Sequence, residues 1–223
     1  GHQDFAEDTY RTLTAVDSAI VVVDVAKGVE SQTEKLVEVS RMRDIPLIVF
    51  INKLDREGRD AFDLLDEIED KLGLRVTPLS WPIGVGQDFQ GVYNMADQTL
   101  RFFTEALKQK IGDSIEIKGL EDANLPKYIG AKAAERLREE VELVTGVYPT
   151  FSVEEYRKGL LSPVFFGSAL NNFGIKELLD SFVEIAPSPQ PKQAEERLVL
   201  PEEKSFSGFI FKIHANMDPK HRD

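Results

Sequence analysis

An α/β fold built on a doubly wound, mostly parallel sheet is what this sequence predicts, and three stretches predict it: SAIVVVDV at 18–25, PLIVFINK at 46–53 and SPVFFGSAL at 162–170. Each is a short run of β-branched, aliphatic or aromatic residues without alternation of polar and apolar positions. A strand with one wet face alternates, whereas a strand covered on both faces does not. Such runs, separated by stretches of helical periodicity, imply parallel strands inside a helical coat.

The intervening segments supply that coat. Over 29–44, Val29, Leu36, Val39 and Met42 recur on one face of a helix. Over 60–73, Phe62, Leu65, Ile68 and Leu72 do the same, and Gly73 supplies a stop. A third helix from Gly174 presents Leu178, Leu179, Phe182 and Ile185 and ends before Pro187. Between 74 and 156 the rhythm changes. RVTPLSWPIG reads as a strand interrupted by prolines, DFQGVYNM as a second strand, and AKAAERLREEVELVTG as a strong helix capped by Gly146. A stretch this long between two core strands is an inserted α/β subdomain lying against the domain edge. The predicted organisation is therefore a main domain over 1–186 that carries the insertion at about 74–156, then a linker over 187–204 with four of the 11 prolines. The segment 205–223 reads as the first strand of a β-barrel domain, with Phe206, Phe209, Phe211 and Ile213 alternating imperfectly with small or polar residues.

Composition bounds the function. With 27 Lys plus Arg against 39 Asp plus Glu, the 223 residues carry a formal charge of -12. That field repels bulk nucleic acid, so contact with RNA needs a local patch or further domains. There is no Cys, which removes disulfides and thiolate metal sites and suits a cytoplasmic protein. The apolar runs are too short to span a bilayer, so no membrane partner is expected. Neither a Ser-His-Asp nor an HExxH arrangement is visible. The carboxylates of DLLDEIEDK fall at helical spacing and read as a solvated face, not as a metal site or an acid/base pair. His214 and His221 are too few and too far apart to form a ligand set, and WPIG reads as packing.

Two short motifs point to chemistry. FINKLD places Asn52, Lys53 and Asp55 directly after an apolar strand, at the carboxyl end where open parallel sheets bind ligands. Asp55 can accept hydrogen bonds from both N1–H and the exocyclic NH2 of guanine, donors that adenine does not present together. A site built on those donors rejects an analogue lacking them. Asn52 can bridge base and neighbouring loop, and the Lys53 stem can cover the flat ring. The alternative is a helix N-cap in which Asp55 satisfies backbone amides. GSAL, with Gly167, Ser168, Ala169 and Leu170, follows another apolar strand. Its small residues allow close approach, and the Ser168 and Ala169 amides can meet the guanine O6. Taken alone, Gly-Ser after a strand is a turn; with NKLD it suggests two loops converging on one base.

NKLD and GSAL, preceded by VDSAIVVVDVAKGVESQT, resemble the base-binding half of the translational GTPases. In that family a third motif, Asp-x-x-Gly, is followed by His, and the opening GHQDF resembles its end; without the resemblance Gly1 and His2 read equally as a tag remnant. The resemblance implies a P-loop GTPase domain that binds GTP or GDP with Mg2+. It implies that Gly1 belongs to the γ-phosphate sensor, that His2 is catalytic and orients the attacking water, and that Asn52, Lys53, Asp55, Ser168, Ala169 and Leu170 hold the nucleotide. A helix over about 4–15 would be the mobile switch element, with Phe5 and Tyr10 packing differently in the two nucleotide states.

Within the family, PLSWPIG, FQGVYN, SPVFFGSALNNFG and FKIHANMDPKHRD resemble the branch that acts in termination. Its partners are the ribosome and the stop-codon-reading release factors, and such a switch is most simply a monomer. No G-x-x-x-x-G-K-[ST] pattern occurs in the 223 residues. The phosphate cradle and most Mg2+ ligands are therefore expected outside them, and the segment alone is expected not to hydrolyse GTP. Two other readings remain: a translocation GTPase resembling elongation factor G, and a ribosome-binding module with an inactive nucleotide site.

Overall fold

The three apolar runs form three adjacent strands of a parallel sheet in the computed structural model, which describes residues 6–102, 114–117 and 119–213. Strands β1 (Ala19–Asp24), β2 (Leu47–Asn52) and β3 (Val76–Pro78) are followed by β4 (Ser80–Ile83), β5 (Gly91–Asn94), β6 (Thr99–Phe102), β7 (Ser114–Glu116) and β8 (Ser162–Phe166). The helices are α1 (Ala6–Thr12), α2 (Ser31–Met42), α3 (Ala61–Leu72), α4 (Leu125–Ile129), α5 (Ala131–Val147), α6 (Val153–Arg157) and α7 (Ile175–Ile185). The main sheet has the order β1-β2-β8-β3 with every pair parallel. A second, antiparallel sheet runs β4-β5-β6-β7. The α/β class with a mostly parallel sheet is as the sequence predicts.

Burial explains why the central runs do not alternate. Val49 and Ile51 of β2 enter one apolar cluster, while Ile48 and Phe50 enter another on the opposite face with Phe165, Leu178, Ile185 and Tyr156. Both faces of β2 are dry, so every position must be apolar. β1 differs. It lies at the edge of the sheet, and Val22 is 55% exposed.

Several elements depart from expectation. RVTPLSWPIG is two strands in two sheets. Val76–Pro78 pairs with β8 in the main sheet, and Ser80–Ile83 opens the second. Leu79 sits between them, its N–H donating to Val164 O and its carbonyl accepting from Met95 N. Gly146 does not cap α5, which continues to Val147 and ends at Tyr148, just before Pro149. On α2 the buried stripe is Gln32, Val37 and Ser40, and Met42 is 74% exposed. On α7, Leu178 and Ile185 are buried but Leu179 is half exposed. The 187–204 region contains a two-stranded pairing, β9 (Lys192–Gln193) with β10 (Leu198–Val199). The expected strand at 206–213 is not formed. An isolated strand leaves its N–H and C=O groups unpaired, and no sheet edge among the described residues pairs with it.

The two sheets share one core. Trp81 of β4 is fully buried, with its ring 4.7 Å from Phe62 of α3 and 5.6 Å from Phe166 of β8. Its indole N–H donates to Glu140 Oε2 of α5 at 2.8 Å, which satisfies the one polar atom of a large buried side chain. At the other side, Arg101 of β6 forms an ion pair with Glu177 of α7, Nε to Oε1 at 2.5 Å.

Candidate functional site

The carboxyl ends of β1, β2 and β8 place three loops side by side. The register is set by the ladder: Asp24 lies opposite Asn52, and Ile51 opposite Phe166. Asn52 and the Gly167 loop are therefore neighbours by construction. Gly167 N donates to Ile51 O at 3.0 Å, and Leu54 N donates to Gly167 O at 3.2 Å. Only glycine fits here, since a Cβ on residue 167 would lie 2.3 Å from the Phe173 carbonyl oxygen and 2.9 Å from the Phe50 ring.

Asn52 ties the loops together through its side chain. Its Oδ1 accepts from its neighbour Lys53 N and, across the gap, from Ala169 N, each at 2.8 Å. Lys53 adopts φ 71°, a left-handed conformation uncommon outside glycine. Its ammonium reaches Asp24 Oδ2 at 2.6 Å. Asp24 Oδ1 in turn accepts from the amides of Ala26 at 2.9 Å and Lys27 at 3.3 Å. Burial pushes the Asp24 carboxyl upward, but the Lys53 hydrogen bond and the two amides outweigh it and hold the group below the ordinary value of 3.8.

Asp55 is half buried in the turn that follows, where Arg56 N donates to Lys53 O at 2.9 Å. It does not cap a helix. The N-cap of α3 is Asp60, whose Oδ1 accepts from Phe62 N at 2.9 Å. The 168–173 loop closes on itself: Ser168 N donates to Phe173 O at 2.9 Å, and Phe173 N to Ser168 O at 3.0 Å. Ser168 Oγ, nearly inaccessible, accepts from Asn171 Nδ2 at 2.9 Å. GSAL is thus a turn as well as a neighbour of NKLD. Of the two amides expected to face a base oxygen, Ser168's is used inside the turn and Ala169's is on Asn52. A base carbonyl could take the Ala169 N–H only in exchange for Asn52. Leu170 is 81% exposed.

Gly1 and His2 lie outside the described residues, as does Phe5. The described part of the expected switch helix is α1 and a 3-10 turn at Leu13–Ala15. Among the described residues no three His, Asp or Glu side chains assemble to hold a metal ion. No helix among them is long and apolar enough to cross a membrane.

Sequence reasoning missed two contributors. Asp24 carried a signal: like Asn52, it is the polar residue that ends an apolar run. The other is the loop at 84–90, where Gly86 N donates to Leu54 O at 2.8 Å and the Phe89 ring stands edge-on to Phe173 at 5.5 Å. Its mark in the sequence is the pair Gly84 and Gly86 followed by an aromatic residue.

A parallel α/β sheet whose strand-end loops meet at Asn52 and Ala169 has the architecture of a nucleotide-binding domain. Residues 1–188 match the family described as the elongation factor Tu GTP binding domain, and the chain belongs to this family of translational GTPases. A crystal structure from Thermus thermophilus is similar at 23% sequence identity and a TM-score of 0.62, over 85% of this chain and 29% of that one. That likeness is one of fold, and this chain spans less than a third of that neighbour's length.

Proposed function

We propose that Asn52, Lys53, Asp55 and the Ser168–Ala169–Leu170 turn read the guanine base of GTP and GDP. In this reading the protein is a ribosome-dependent GTP hydrolase of translation termination, of the bacterial peptide chain release factor 3 type, which promotes departure of the stop-codon-reading release factors. One observation carries the base assignment: the Asn52–Ala169 hydrogen bond holds the two loops together. Asp55, half buried in the turn that follows Asn52, has no hydrogen bond or ion pair among the described residues. A carboxylate without an internal partner is suited to two donors from a ligand. In this reading the Ala169 amide, which donates to Asn52 Oδ1, exchanges that partner for the base O6. Lys53, anchored at Asp24, presents its alkyl stem as a cover for the ring.

The termination branch rests on the phrases PLSWPIG, FQGVYN and SPVFFGSALNNFG. In the same reading Gly1 senses the γ-phosphate, His2 orients the attacking water, and the protein works as a cytoplasmic monomer. The main domain spans 1–186, the linker 187–204, and a barrel domain begins near 205. Mg2+ would be held mostly by a phosphate-binding loop that these 223 residues do not contain, and it would supply neutralisation of phosphate charge.

The test is Asp55→Asn in the full-length protein, with guanine and xanthine nucleotides competing against labelled GDP. Xanthine carries a carbonyl where guanine carries NH2, so an asparagine amide matches it. Two hydrogen bonds to a carboxylate make guanine affinity fall about 10²–10⁴-fold, with xanthine becoming the preferred base. Unchanged guanine preference removes the assignment. Termination is checked separately: GTP and ribosomes should accelerate loss of a stop-codon-reading factor from a ribosome that has released its peptide.

A further inference from the structure

We infer that the loop at 84–90, which belongs to the inserted sheet and not to either base loop, is a positioning element for base recognition, with Gly86 and Phe89 as its positioning residues. The inference rests on the guanine reading above. It adds a third segment, some thirty residues from NKLD in sequence and eighty from GSAL, that sets the spacing of the two.

The geometry has three parts. First, the loop touches both base loops. The Gly86 amide donates to the carbonyl of Leu54, the third residue of NKLD, at 2.8 Å. The Phe89 ring, buried, packs edge-on against Phe173 at 5.5 Å and 84°, and Phe173 is the residue whose N–H and C=O both close the GSAL turn on Ser168. Second, the loop is braced internally. Gln90 N donates to Ile83 O at 2.8 Å, and Phe89 N to Gly86 O at 3.2 Å. Gly84 has φ 77°, and a Cβ there would lie 2.1 Å from the Asp88 carbonyl oxygen, so the hairpin is shaped for glycine. Third, the base loops need the brace when occupied. Beyond the sheet ladder, their mutual ties are Leu54–Gly167 and Asn52–Ala169. A base oxygen that takes the Ala169 amide replaces the second tie. The spacing of Asp55 from Ala169 then depends on the first tie and on the loop that grips Leu54 and Phe173 together.

Such a brace acts by preorganisation: loops held at the bound spacing lose less freedom on binding. It also acts on selectivity, because the two donors of guanine meet Asp55 only at one spacing, and a shift of a fraction of an ångström weakens a hydrogen bond that a base lacking the 2-NH2 never makes.

The experiment measures GDP dissociation and the preference for guanosine over inosine diphosphate in the full-length protein. The variants are Phe89→Ala, Phe89→Leu, Gly86→Ala and Phe173→Ala, studied well below their thermal midpoints. Phe89→Ala is expected to raise GDP dissociation about tenfold and to lower the guanosine preference, with Phe89→Leu recovering most of both. Gly86→Ala, which strains φ 64° without emptying the core, is expected to give about threefold. Phe89→Ala and Phe173→Ala together should cost less than the product of the two alone, since both break one contact. A lower thermal midpoint with dissociation and base preference unchanged overturns the inference and leaves Phe89 as ordinary packing. If the unmutated protein shows no guanine preference, the reading of Asn52 and Asp55 fails first and this inference falls with it.

Discussion

The parallel sheet and the inserted antiparallel sheet solve the same burial problem differently. In β2 every residue from Leu47 to Ile51 is buried, because helices or the second sheet cover both faces. In β6 only Leu100 is fully buried, and Thr99, Arg101 and Phe102 are partly open. The first arrangement leaves its chemistry at the strand ends, where Asn52 and Gly167 emerge into loops. The second places little chemistry at its own ends and instead makes contacts back to the first: Trp81 on Phe166, Gly86 on Leu54, Phe89 on Phe173, Arg101 on Glu177. One sheet ends in the Asn52 and Gly167 loops, and the other makes contacts with both.

That contrast is broken most severely at Trp81. Removing a fully buried indole from between Phe62 and Phe166 leaves a large cavity and an unpartnered Glu140 oxygen, so Trp81→Ala is expected to cost about 3–5 kcal/mol. Because the two sheets share one apolar cluster, denaturant should give a single transition in which both regions unfold together; two separated transitions would show that they are independent units. Next is Gly167→Ala, which presses a methyl onto the Phe173 carbonyl. It is expected to cost about 1–3 kcal/mol and to accelerate GDP dissociation in the full-length protein.

The smallest effect is expected at Asp24. Its carboxyl is held below 3.8 in the folded protein, so the stabilisation from Lys53 and the two amides is present above that pH and is lost as pH falls through the lower folded value. Asp24→Asn should flatten the acid limb of the stability curve below about pH 4 and cost under ~1 kcal/mol at neutral pH, since the Lys53 ammonium is partly exposed. Equal acid sensitivity in both proteins would place the titration elsewhere.

The legibility of these two regions in the sequence follows from the same physics. Unbroken apolar runs announce strands, and β1, β2 and β8 lie where SAIVVVDV, PLIVFINK and SPVFFGSAL stand; the inference of two dry faces holds for β2 and β8 but not for β1, where Val22 is exposed. The helix over 60–73 was equally plain, with Asp60 and Gly73 at its ends. β3 was hidden because three residues carry no period, and it was fused with β4 because no glycine or loop marks Leu79, where the chain passes from one sheet to the other. On α2 hydropathy points to Met42, yet Gln32 and Ser40 are buried and Met42 is exposed. At the site, residues that end apolar strands could be found by position and chemistry. The partners of the Ser168 and Ala169 amides could not, because a backbone donor carries no signature of what accepts from it. Nor could the reach of Gly86 to Leu54, a contact that no local pattern encodes.

Trp81 is the only tryptophan in the chain, and it stands where the two sheets meet. Its fluorescence is therefore a built-in optical gauge of that seam. Emission at short wavelength signals a dry indole gripped by two phenyl rings, and a shift to the red signals water entering between the layers. Nucleotide titrations followed by this signal alone, without any attached dye, would report whether nucleotide binding is felt across the junction.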